Sequence, residues 1–101
     1  MSSQYVLTHE AQQDLIDIWD YIARDSPQAA DQVMQEIKKS FDLLVQFPGA
    51  GHQRKDVRDN RYRFWRANRF IIAYFPKTSP LQIARIVGAA RDFRNIFPPR
   101  R

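Results

Sequence analysis

Asp14 and Asp17 stand three residues apart, a spacing that puts both carboxylates on one helix face, where such a pair can act as acid and base or hold a metal. With Glu10 they form an i, i+4, i+7 stripe, and a solvated helix face is the favoured reading, because nothing nearby in sequence supplies a third ligand. His9 and His52 are far apart and neither has a helical or HxxxH partner, so each reads as a surface histidine. Gly49-Ala50-Gly51 is too short for a phosphate cradle, lacks a following Lys-Ser/Thr and comes after a helix, so its glycines are read as helix terminators. The chain has no cysteine, which excludes disulfides, Cys-ligated zinc and thiol catalysis. Neither a metal nor a cofactor site is expected, and no catalytic residue stands out.

The strongest local signal is Arg61-Tyr62-Arg63-Phe64-Trp65-Arg66-Ala67-Asn68-Arg69-Phe70. Strand alternation would set Arg61, Arg63 and Trp65 on one face and Tyr62, Phe64 and Arg66 on the other. Guanidinium groups beside an aromatic suit RNA or single-stranded DNA, through phosphate pairing and base stacking. They equally suit a strand whose aromatics are plain core and whose arginines meet water. Arg54, Lys55, Arg58, Arg85, Arg91 and Arg94 favour an interaction surface. The candidates for contacting a target or a partner are therefore Arg54, Arg61, Arg63, Trp65, Arg85, Arg91 and Arg94.

These cations belong to a larger asymmetry. Residues 1–50 carry three Lys/Arg and eight Asp/Glu, net −5, whereas residues 51–101 carry thirteen and three, net +10. A fold with one basic side speeds encounter with a polyanion or an acidic protein. At 101 residues, with 44% hydrophobic residues, the whole chain, residues 1–101, is expected to form one domain around one core. It has no signal-like leader and no apolar run of membrane-spanning length, which points to a cytoplasmic protein without membrane contact.

The elements that must position these residues are legible from periodicity. Tyr5-Val6-Leu7 is β-like, Thr8 suits an N-cap, and Leu15, Ile18, Trp19 and Ile22 recur at helical spacing. Ser26-Pro27 opens a second helix, marked by Ala30, Val33, Met34, Ile37, Phe41, Leu44 and Val45, that runs to the breaker Phe47-Pro48-Gly49. Their short link predicts an antiparallel helical hairpin. After a loop over 48–60, strands are expected at Arg61–Arg66, Phe70–Phe75 and Leu81–Val87, with Asn68 able to take positive φ in the first turn. Links this short make antiparallel neighbours, and Tyr5–Leu7 is a candidate edge strand. Phe93, Ile96 and Phe97 suggest a last helical turn before a frayed basic tail, Pro98-Pro99-Arg100-Arg101. The fold class is α+β, an N-terminal two-helix hairpin packed on a C-terminal antiparallel sheet, with a short C-terminal helical turn.

In order and spacing these segments resemble the ParE branch of the ParE/RelE toxin superfamily of type II toxin-antitoxin systems. The marks are Leu7-Thr8, Ala11, Asp14-Leu15, Ile18-Trp19-Asp20-Tyr21-Ile22-Ala23, Pro27 with Ala29-Ala30, and Phe47-Pro48. They continue through Gly51, Arg54-Lys55-Asp56, Arg61-Tyr62-Arg63, Phe70-Ile71-Ile72-Ala73-Tyr74, Arg85-Ile86-Val87 and Ala90-Arg91-Asp92. The resemblance implies a toxin held inactive by a cognate, ParD-like antitoxin in a hetero-oligomer, the antitoxin's C-terminal segment wrapping the toxin. An acidic segment of that partner would cover the basic sheet and an apolar strip of the hairpin. ParE-type members poison DNA gyrase, while RelE-type members cut mRNA on the ribosome. Neither mode implies a small-molecule substrate. RelE-type chemistry usually uses a tyrosine or histidine near the chain's end. Gly88-Ala89-Ala90-Arg91-Asp92-Phe93-Arg94 has neither, and Gly88 stands where many relatives carry His. Gyrase inhibition is therefore the expectation. A ribosome-dependent nuclease using Arg61, Arg63 and Arg91 around a phosphate is the alternative.

Overall fold

The structure, a computed structural model, describes residues 4–98. Apart from Pro98, the expected basic tail lies outside the described residues. Strand β1 (Tyr5–Leu7) leads into helix α1 (His9–Ala23), and helix α2 (Pro27–Gln46) returns beside it. Strands β2 (Arg63–Ala67), β3 (Phe70–Phe75) and β4 (Leu81–Gly88) follow, then a four-residue helix α3 (Phe93–Ile96).

Both long helices start where their caps dictate. Thr8 Oγ1 accepts from Ala11 N at 3.1 Å, and Ser26 Oγ accepts from Ala29 N at 3.1 Å ahead of Pro27. Each bond satisfies one of the amides that a helix start leaves unpaired. α2 ends at Phe47, before Pro48, without a glycine in the left-handed region, since no glycine has positive φ. The expectation that Gly49 and Gly51 terminate this helix is thus not met. Gly51 instead lies against Tyr74, whose hydroxyl accepts from Gly51 N at 2.9 Å and donates to Pro48 O at 2.7 Å. That buried hydroxyl pins the end of the hairpin to β3.

The sheet order is β1-β4-β3-β2, with β2, β3 and β4 an antiparallel meander. β1 forms the edge beside β4 but runs parallel to it, pairing Tyr5 with Leu81 and Leu7 with Ile83. A strand at the start of the chain can lie parallel because both helices and two strands intervene, ample for a crossover. β2 begins at Arg63, two residues later than expected. Arg61 lies in a turn, where its amide donates to Asp59 Oδ1 at 3.1 Å. The β2–β3 turn contains Asn68 at φ 61°, and Asn68 Nδ2 donates to Glu36 Oε2 of α2 at 2.7 Å.

Both sheet faces are covered. On the hairpin side Ile72, Tyr74, Leu81, Ile83 and Ile86 meet Ala11, Ile37, Phe41 and Leu44. Ile83 and Ile86 are three apart, so regular alternation would set them on opposite faces. A bulge reconciles them: Ala73 faces Arg85 while Tyr74 faces Ile83, leaving Ala84 as the extra residue. On the opposite side Phe64, Ile71, Ala73 and Val87 pack under Val57, Phe93 and Phe97. The long loop and α3 thus form a second, thinner layer.

Candidate functional site

β1 covers only the first part of β4, so from Ala84 onward that edge has no strand beside it. Side chains of the α1 segment take the strand's place. Thr8 Oγ1 donates to Ala84 O at 2.7 Å, and Asp14 Oδ2 accepts from Ile86 N at 2.9 Å. The same carboxylate grips Arg85 as a fork, Nε to Oδ2 at 2.7 Å and Nη2 to Oδ1 at 3.0 Å. Only 13% of the Asp14 side chain is exposed, so the reading of Asp14 as part of a solvated face is corrected. The hydrogen bond to Asp14, and then its charge, raise the Arg85 pKa and keep that guanidinium charged. Sequence periodicity placed Asp14 on its helix, but nothing local signals a partner 71 residues away.

Beyond this plug, α1 and the end of β4 leave a groove of about 600 Å³ lined by Ile18, Tyr21, Ile22 and Val87, with Arg69 and Arg91 on its wall. Arg91 is exposed and has no ion pair among the described residues. Asp92, its nearest carboxylate in sequence, is occupied as the cap of α3, accepting from Arg94 N at 3.1 Å and Asn95 Nδ2 at 3.0 Å. A Cβ built on Gly88 would meet Arg91 Cγ at 3.6 Å, an ordinary contact, so no packing demand explains the glycine.

Across the sheet, the guanidinium of Arg54 lies 3.8 Å from the centroid of Phe93 and bonds both oxygens of Asp56 at 2.9 Å. The hydrogen bond to Arg54 holds the Asp56 carboxyl below its usual range. Beside this pair Lys55, Arg58 and Arg94 rim a depression of about 550 Å³ floored by Phe97. A separate depression of about 530 Å³ holds Arg61, Arg63 and Lys77 with Phe75 and Gln82. There Arg61 is forked onto Asp59, Nη2 to Oδ2 at 2.6 Å. Trp65 is half-buried against the hairpin-side core rather than standing in an open row with Arg61 and Arg63.

Of the seven candidates, then, Arg54, Arg61 and Arg85 are tied into ion pairs and Trp65 is packed, while Arg63, Arg91 and Arg94 keep unpaired guanidinium groups among the described residues. The fold brings Arg61 and Arg63 together. Arg91 stands elsewhere: Arg63 is level with Tyr74 and Ile83, whereas Gly88, just before Arg91, is level with Phe70 and Ala67 at the other end of the sheet. No group of three or more His, Cys, Asp or Glu among the described residues could hold a metal. Lys77 is the cation that sequence reasoning missed, since it sits in a turn far from the arginine cluster in the chain.

The family model for the ParE toxin of the type II toxin-antitoxin system parDE matches residues 5–93. The chain belongs to the ParE toxin family. A solved structure described as a chromosomal ParDE TA system from P. aeruginosa contains a chain 26% identical to this one, with a TM-score of 0.69, over 85% of this chain and 98% of that one. No curated protein matches it. The ParE fold of helical hairpin, mostly antiparallel sheet and short last helix is thus both expected and observed. In this ParE toxin no helix among the described residues is long and apolar enough to cross a membrane.

Proposed function

We propose that this toxin inhibits DNA gyrase by binding, without cutting RNA, and that a ParD-like antitoxin neutralises it in a hetero-oligomer in the cytoplasm. The observation that carries this reading is the separation of Arg63 from Arg91. Their strand positions differ by five residues along β4, roughly 15 Å, and Arg91 turns back beside Gly88 at the far end of that strand. A nuclease must gather its cations around one phosphate, within hydrogen-bond reach of the oxygens that gain charge. Arg61 and Arg63 share one depression, Arg91 lines another, and neither depression includes a histidine.

The apolar groove between α1 and the end of β4 supports a peptide-like antitoxin segment. Its walls offer Ile18, Tyr21 and Ile22 for apolar side chains and, alongside the carboxylate of Asp17, Arg69 and Arg91 for acidic ones. The likeness to a chain of a solved ParDE system supports the ParD type.

The direct test is supercoiling by purified gyrase with the toxin in excess. Loss of supercoiling, and recovery when antitoxin is added, is the expected result. Undiminished supercoiling together with codon-linked cuts in translated mRNA would move the chain to the nuclease class.

A further inference from the structure

The depression lined by Lys55, Asp56, Arg58, Arg94 and Phe97 has no role in the function proposed above, yet it is the place where cations outside any ion pair converge away from the groove and the Arg63 depression. Each of the three cations is exposed and none forms an ion pair among the described residues; the one carboxylate in the depression, Asp56, lies within electrostatic reach of Arg94 but is forked onto Arg54. The carboxylates that could quench them are already engaged. Both oxygens of Asp56 are held by Arg54, and those of Asp92 by Arg94 N and Asn95 Nδ2. The cations are also held on a firm base: Phe93 and Phe97 stack at 5.8 Å and pack edge-on against Phe64 at 6.1 and 5.5 Å.

What such a surface grips follows from what it lacks. The exposed large hydrophobic residues are Val6, Ile16, Trp19, Tyr21, Leu43 and Phe47, all on β1 or the hairpin; among the described residues from 48 onward none is exposed. A protein interface draws most of its affinity from buried aromatic and aliphatic anchors, and this face has none to offer. Single-stranded nucleic acid needs open rings to stack on, and here Phe93 and Phe97 are only 1% and 4% exposed. Unpaired lysine and arginine side chains without anchors or stacking platforms match the sugar-phosphate backbone of a duplex, which is bound by charge and without base readout.

We propose that Lys55, Arg58 and Arg94 grip the phosphate backbone of duplex DNA; the choice of DNA as the duplex rests on the gyrase reading, in which the target carries it. The geometry assigns the face formed by the long loop and α3 to DNA, and leaves the apolar hairpin side to protein partners.

The test uses the free full-length toxin and a labelled random-sequence 30-bp duplex, read by fluorescence anisotropy at 50 and 200 mM salt. Three phosphate contacts imply that binding weakens about 40-fold over that range. Lys55→Gln/Arg58→Gln/Arg94→Gln should lose about tenfold or more at the lower salt and flatten the salt dependence, with an unchanged melting temperature. Lys38→Gln/Lys39→Gln, which removes the same kind of charge from α2, should bind as the wild type does. Duplex binding that survives the triple substitution, or no duplex binding by the wild type, would overturn the proposal. So would tighter binding to poly-glutamate, which reassigns the face to an acidic protein, or to single-stranded RNA. Gyrase supercoiling measured on the same samples separates the two readings. A wild type that binds DNA but leaves gyrase active refutes the gyrase reading alone. A triple variant that still binds DNA refutes this one alone.

Discussion

Asp14 ties helix α1 to the sheet. It completes the unpaired edge of β4 at Ile86 N and neutralises Arg85 in one contact. Asp14→Ala leaves a half-buried guanidinium and a backbone amide without their acceptor, and should lower stability by about 1–3 kcal/mol in urea unfolding. Asp56 makes a different prediction, in pH. Its folded pKa lies below the ordinary value because Arg54 stabilises the carboxylate, so its contribution is present above about pH 4 and fades as the pH falls through the lowered folded value. Melting temperature followed from pH 6 to pH 2 should drop less steeply for Asp56→Asn than for wild type. Residue types alone identified Asp14 and Arg85 as notable. They could not reveal that the two meet, because a 71-residue separation leaves no local pattern.

Among the elements, the junctions decide stability. Thr8 caps α1 and bonds the bulge of β4 at Ala84, and Tyr74 ties β3 to the end of the hairpin through Pro48 and Gly51. A Cβ at Gly51 would stand 2.6 Å from the Tyr74 hydroxyl and 2.9 Å from Phe64 O. Gly51→Ala should therefore cost about 3 kcal/mol, whereas Gly49→Ala, with nothing within 4 Å, should be close to neutral. Thermal melts of the two variants side by side check this. Gly88→Ala should raise stability slightly, about 0.5 kcal/mol, since its φ is not positive and the new methyl has room beside Arg91. The elements themselves were legible: Thr8, Ser26-Pro27 and Asn68 acted as their chemistry demands. The parallel run of β1 and the bulge at Ala84 were not, because strand direction and register are settled between strands.

For the whole molecule, the charge split becomes a division of surfaces. The acidic hairpin carries the exposed apolar side chains, and the layer of loop and α3 carries unpaired cations without them. If the groove beside α1 seats an antitoxin segment, Tyr21→Glu should weaken the complex about tenfold or more in calorimetry. Its melting temperature should hardly move, because that ring is 70% exposed in the free toxin.

Local chemistry by itself determined the helical hairpin, the meander, the basic second half and the ParE resemblance, since caps, periodicity and charge are properties of neighbouring residues. Which arginines are free and which are structural was decided only in the tertiary fold. Arg85 is held by a carboxylate from α1, whereas Arg54 and Arg61 are folded back onto Asp56 and Asp59. Three-dimensional proximity also put Arg63 and Arg91 at opposite ends of the sheet, and whether cations can share one phosphate depends on that distance and not on their count.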